Sequence, residues 1–225
     1  MSVESASRVA DATVHQLGYR LRMEGESKPR AGDLTVYGSV TTRVGIAALR
    51  DLGIDDIDAV VRYWHGSGEA HLDALGIDRS LLGTPDDTQQ RFVRALRSGD
   101  PDQRHLAFAI TLDGELVGYT LLNRYTPDVN YSHWHITNTG LRAAGLSTAL
   151  YPHRIKMYFD LTPIACLIHQ TRTRNVGVNR MLDRYVPVAE TRYIEKPDGV
   201  AEPGEFHLRY VFREDIQRFF EVSPR

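Results

Sequence analysis

Apolar positions along the chain change period several times, and each change marks an element. Residues 106–111 and 115–122 are apolar-rich runs joined at Asp113-Gly114, a pair that supplies the positive φ of a tight turn and predicts a β-hairpin. Residues 131–137 alternate with a period of two. That predicts a strand with Tyr131, His133 and His135 on one face and Ser132, Trp134 and Ile136 on the other. A helical run covers 147–160, with Pro152 about one turn inside, where it is expected to kink or restart the helix. Residues 164–170 predict a strand, and Asn175 opens a helix running to about Arg184. Two more strands, 190–194 and 206–212, flank a polar connection at 195–204, and a short helix follows Arg213. Upstream, 44–49 reads as the first core strand, and 123–130 reads as a loop around Pro127. Helices are predicted over 57–64, with Asp55 as N-cap, and after Thr84-Pro85-Asp86-Asp87. Leu72, Leu75, Ile77, Leu81 and Leu82 fall between them, among Gly and Asp breaks. Val9, Ala12, Thr13 and Leu17 share one face of an amphipathic helix within 1–20, and 22–33 reads as a linker.

The pattern is that of a mixed α+β domain at 43–225, preceded by an N-terminal extension at 1–42 made of a helix and a linker. With 225 residues, 42% of them hydrophobic, the chain can bury one sizeable core. A net charge of −2 gives no basic surface for nucleic acid. Cys166 is the single cysteine, so no intramolecular disulfide can form, and its place in an apolar run reads as a buried core thiol. His65 and His71 lack zinc spacing, so no metal is expected. No run is long enough to span a membrane and no leader segment is recognisable, so the cytoplasm is the expected compartment.

The candidate chemistry starts where the 131–137 strand breaks at Asn138-Thr139-Gly140. Arg142-Ala143-Ala144-Gly145-Leu146-Ser147 then leads into the helix. A strand that turns through small residues into a helix N-terminus is a phosphate cradle. The first backbone N–H groups lack internal partners, the dipole favours an anion, and small residues let it approach. This stretch resembles the pyrophosphate loop of the GCN5-related N-acetyltransferase (GNAT) superfamily. Its usual form is Arg or Gln, two variable residues, Gly, one variable residue, then Gly or Ala. Ser147 departs from the last position but is still small. The upstream hairpin, the strand after the helix and Asn175 opening the next helix follow the family order, and Asn179 with Met181 resembles a common variant. The resemblance covers residues 43 to 212.

The resemblance implies a GNAT-like fold: a central, mostly antiparallel twisted sheet flanked by helices, with a V-shaped splay between two strands for acyl-CoA. It implies acetyl-CoA, or another acyl-CoA, as co-substrate. Arg142, Ala143, Ala144, Gly145, Leu146, Ser147 and Thr148 would hold its pyrophosphate, Thr137 would pair with the pantetheine arm through its backbone, and Asn175 and Asn179 would lie beside that arm. It also implies direct attack by an amine in a ternary complex. Counting back from Arg142, histone-acetylating members place a Glu at the position of Tyr131, and arylalkylamine-acetylating members place histidines at 131 and 133. Here the histidine pair is shifted to 133 and 135. His133 is the expected general base, its ordinary pKa being near neutrality, with His135 as second choice or relay. The family's acidic Tyr aligns with Leu182, which leaves Tyr185, one turn later, as the candidate acid. The expected function is N-acyl transfer, most simply acetyl, to a primary amine of a small molecule. A catalytically inactive acyl-CoA sensor and a protein lysine or N-terminal acetyltransferase are the alternatives. The sequence leaves room for a homodimer.

Overall fold

The computed structural model describes residues 34–97 and 105–222. The helix and linker expected over 1–33 lie outside the described residues. The strands are β1 Val36–Thr42, β2 Gly45–Asp51, β3 His105–Leu112, β4 Glu115–Thr126, β5 Val129–Ile136, β6 Cys166–Arg172, β7 Glu190–Ile194 and β8 Gly204–Phe212. The helices are α1 Ile57–Gly66, α2 Glu69–Leu75, α3 Pro85–Arg97, α4 Leu146–Leu161, α5 Val176–Leu182 and α6 Ile216–Glu221. All eight strands join one sheet in the order β1-β2-β3-β4-β5-β6-β8-β7. Every neighbouring pair is antiparallel except β5 and β6, which run parallel.

The expected β3–β4 hairpin forms around Asp113 and Gly114, whose φ values of 50° and 91° are those of a tight turn that follows strand twist. The next connection is shorter than expected. In place of a loop over 123–130, β4 continues to Thr126 and β5 starts at Val129, with Asn123 opposite Tyr131 and Arg124 opposite Asn130. Pro127 and Asp128 suffice for the turn, and the buried amides of Asn123 and Asn130 hide the strand from an apolar count. β1 pairs with β2 from inside the stretch assigned to the extension. As an edge strand of exposed and half-buried residues, it has no apolar run to mark it.

Helix starts follow local capping chemistry. Thr84 and Asp87 cap α3 reciprocally, with Thr84 N–H donating to Asp87 Oδ2 (2.9 Å) and Asp87 N–H to Thr84 Oγ1 (3.1 Å). Before α1, Asp56 rather than Asp55 holds the N-cap position, but its carboxylate turns back to close the preceding turn, accepting from Gly53 N–H at 2.7 Å and pairing with Arg50 at 2.6 Å. α2 was hidden among the breaks and ends at Gly76, whose φ of 69° is left-handed. α4 runs unbroken through Pro152. Proline has no N–H to give the carbonyl one turn back, that of Thr148. The Tyr185 hydroxyl donates to that carbonyl instead, at 2.7 Å.

Two apolar layers sandwich the sheet. Leu49, Ile110, Leu150, Ile155 and Tyr158 belong to the layer that includes α4, and Val60, Trp64, Phe92 and Tyr119 to the layer under α1–α3. Cys166 is buried and its thiol is pushed up to about 11 by that burial, which fits an inert core residue. Among the described residues, no helix is long and apolar enough to cross a membrane. β5 and β6 share only three rungs, from Val129↔Cys166 to Tyr131↔Ile168. Past them the two strands part, and the sheet opens as a V.

Candidate active site

A cavity of about 1200 Å³ occupies the V. It is lined by β5 from Ser132 to Ile136, β6 from His169 to Arg172, the loop at 141–149, and Asp198 to Ala201 of the β7–β8 connection.

The loop at 141–149 has the local geometry of a helix-start turn with free donors. Asn138 Oδ1 accepts from Gly140 N–H at 3.0 Å and sets the turn after β5. Ala143 (φ 65°) and Gly145 (φ 86°) take left-handed conformations, and Gly145 is the N-cap of α4. No side chain caps this helix, so the donors of its first turn, at Leu146, Ser147 and Thr148, remain available. A Cβ at Gly145 would meet nothing within 4 Å, so the space above the loop is open. Arg43 braces the loop from the β1–β2 turn by donating to the carbonyls of Ala143 (3.3 Å) and Ala144 (3.4 Å). The side chains of Ala144 and Leu146 are buried, which leaves their backbone for a ligand. The residues present fit a pyrophosphate. Arg142 is exposed, with its guanidinium nitrogens 3.2 and 3.1 Å from the ring nitrogens of His71.

Strand alternation sorts β5 as expected. His133 and His135 face the α1–α3 side, while Trp134 faces α4, where Arg154 stacks over its ring. His133 Nε2 lies 2.6 Å from Asp198 Oδ2, and Asn123 Nδ2 donates to the same oxygen at 2.9 Å. The carboxylate selects the tautomer with hydrogen on Nε2 and leaves Nδ1 as the basic nitrogen. His135 sits in an aromatic box. It stacks on Tyr119, its cross-strand neighbour, at 5.0 Å, meets Trp64 edge-on at 4.9 Å, and has Tyr63 Oη 3.3 Å from Nδ1. Burial, then the positive charge of His133, His71 and Arg142, pushes it down to about 3. It is therefore neutral at physiological pH. Tyr63 Oη also lies 3.2 Å from His71 Nε2, which links His135 to His71.

The remaining predicted residues divide. Asn175 lines the cavity and caps α5, accepting from Val178 N–H at 3.3 Å. Asn179 is buried outside the cavity lining: its oxygen accepts from Thr171 and Arg209, and its amide donates to the carbonyls of Arg172 and Thr173. Thr137 lies beyond the end of β5, its N–H donating to Val117 O at 3.0 Å. Tyr185 borders the cavity, but its ring is stacked on Tyr151 at 4.4 Å and its hydroxyl is committed to Thr148.

No protein-family model and no curated protein matches the sequence. Solved structures do match. RimJ of Mycobacterium smegmatis, in complex with CoA-disulfide, aligns with a TM-score of 0.65 at 16% identity, covering 83% of this chain and 94% of that one. RimL, a ribosomal L7/L12 alpha-N-protein acetyltransferase, aligns at 0.62 and 11% identity, over 84% and 99%. The fold is that of the GCN5-related N-acetyltransferases. The GNAT-fold enzyme AAC(6')-Ib, in complex with coenzyme A and kanamycin, aligns at 0.58 and 16% identity, over 76% and 98%. The expected sheet and its V are therefore those of a GNAT fold. What sequence reasoning missed on that fold is Asp198. It lies in a polar connection without period, and its one signal is the Asp198-Gly199 pair, where Gly199 has φ 74° and turns the chain under His133.

Proposed function

We propose that the chain is an acyl-CoA-dependent N-acyltransferase acting on a small-molecule amine. The observation that carries this reading is the His133–Asp198 pair, at 2.6 Å, on the cavity that also holds the uncapped N-terminus of α4. An acyl-CoA supplies the thioester carbonyl. The N–H groups of Leu146, Ser147 and Thr148 hold its pyrophosphate, and the V between β5 and β6 takes its arm. His133 Nδ1 accepts the proton of the attacking amine while Asp198 stabilises the imidazolium. His135, kept neutral, forms the aromatic wall beside it. Tyr185 is a structural residue in this reading, since its proton is engaged by Thr148. CoA thiolate leaves without its help.

Two observations favour a small amine over a protein chain. The β7–β8 connection roofs the acceptor side: Asp78 N–H donates to Val200 O at 2.8 Å, Glu202 N–H to Gly76 O at 2.7 Å, and Ile77 bridges Ala201. Among the described residues, seven arginines line the cavity against one carboxylate, that of Asp198. Such a field repels polycations. The acceptor is therefore a compact amine of low positive charge, unlike the kanamycin bound in the AAC(6')-Ib structure.

The test is calorimetric titration of CoA and acetyl-CoA into the wild type and Gly145→Trp, followed by thiol release with a panel of amines that includes kanamycin. The expected result is binding to the wild type, a loss of about 100-fold or more in the variant, and thiol release with monoamines but not with kanamycin. Absence of CoA binding overturns the reading. Binding without thiol release from any amine replaces it with the sensor.

A further inference from the structure

Among the described residues two arginines are buried, and only one of them has an ion pair. Arg209 is paired with Asp183 at 2.6 Å and also donates to Asn179 and Thr171, while its Nε, like that of Arg154, is buried without a partner. Arg154, on α4, is 2% exposed and forms no ion pair among the described residues; its Nε is buried without a partner. Its guanidinium carbon lies 4.6 Å from the ring centre of Trp134 and 5.3 Å from that of Tyr151. The Trp134 indole N–H is also buried without a partner. Both side chains border the cavity. Attraction to aromatic faces returns only part of what a guanidinium loses on leaving water, so Arg154 is a strong candidate to pair with an anionic ligand in the cavity.

Its place along α4 indicates which anion. Arg154 lies about 13 Å along the helix axis from Gly145. The chain of bonds from pyrophosphate to thioester sulfur matches the reach of four extended residues, about 14 Å. An acyl-CoA whose pyrophosphate rests on the start of α4 therefore brings its thioester level with Arg154 and Trp134. These two occupy the face of β5 opposite His133, so the acyl tail turns toward them and the amine arrives from the other side.

We propose that the acyl group ends in a carboxylate: the donor is the CoA thioester of a short dicarboxylic acid, such as malonyl- or succinyl-CoA. Arg154 holds that carboxylate, and the Trp134 N–H is its second donor. In the transfer, the amine nitrogen bonds to the thioester carbonyl carbon and the C–S bond breaks. The electron pair leaves on the CoA sulfur, and the amine proton passes to His133 Nδ1. This inference rests on the acyltransferase reading above.

The test measures dissociation constants of CoA, acetyl-CoA, malonyl-CoA and succinyl-CoA for the wild type, Arg154→Met and Trp134→Phe. The wild type is expected to bind malonyl- or succinyl-CoA about tenfold or more tightly than acetyl-CoA. Arg154→Met, which keeps the apolar bulk, is expected to abolish the preference and to change CoA affinity by less than about twofold. Trp134→Phe is expected to reduce the preference by about threefold. A wild type that binds acetyl-CoA as tightly as both diacyl donors overturns the proposal, whether or not the variants fold. So does a preference that survives in folded Arg154→Met. If CoA itself does not bind, the acyltransferase reading falls first, and that outcome is distinct from loss of the preference alone.

Discussion

His133 and Asp198 come from distant parts of the sequence and meet at one hydrogen bond on the cavity wall, so each can be changed without altering the loop at 141–149. His133→Gln keeps the size and one polar contact but has no basic nitrogen. It is expected to lower kcat by about 100-fold or more with little change in CoA affinity, as loss of a general base does. Asp198→Asn is expected to lower kcat by about tenfold, because a neutral amide no longer offsets the charge that develops on His133. An unchanged kcat in Asp198→Asn would reduce the pair to a packing contact. The face of β5 that carries His133 was legible in the sequence because strand alternation assigns it. Asp198 was not legible, since no periodicity within 195–204 ties that connection to β5. Asn179 misled for the reverse reason: its position resembles a family variant, but its amide joins α5 to β6.

The elements were legible where a local rule forces them. Asp113-Gly114 fixes the β3–β4 turn, and the Thr84–Asp87 box fixes the start of α3. Two others depend on partners far away in sequence. β1 exists because β2 offers it an edge. α4 survives Pro152 because Tyr185, from beyond α5, donates to the carbonyl that proline leaves unfilled. Tyr185→Phe therefore leaves a polar group in the core without a donor. The expected cost is about 1–3 kcal/mol, read by denaturant unfolding, with kcat per folded molecule unchanged. A variant as stable as the wild type but slow in thiol release would instead mark Tyr185 as a proton donor.

For the whole molecule, the buried histidines add to the response to acid. His135 is pushed down to about 3, and His169, buried against Tyr151, is also lowered well below its ordinary value, first by burial and then by Arg154 and Arg209. Both imidazoles bind protons less tightly folded than unfolded. Below about pH 6.5 the unfolded chain takes up protons that the folded chain does not, so their contribution is fully present above that pH and declines as pH falls toward 3. Each group adds a slope of at most about 1.4 kcal/mol per pH unit. Thermal melts from pH 7 to 4 are expected to show a falling Tm, and His135→Phe is expected to flatten the fall. Equal slopes in the two proteins would show that His135 is not held neutral by the fold.

The alternation of β5 has an evolutionary consequence. In the reading proposed above, residues 133 and 135 border the amine and residue 134 borders the acyl tail, while the backbone that lines the V belongs to neither set. One strand thus carries two interleaved specificity registers on a shared scaffold. A change in an odd-numbered side chain can select a new acceptor without disturbing the donor, and a change in an even-numbered one can do the reverse. Duplicated copies of such a gene could diverge in either substrate by single steps.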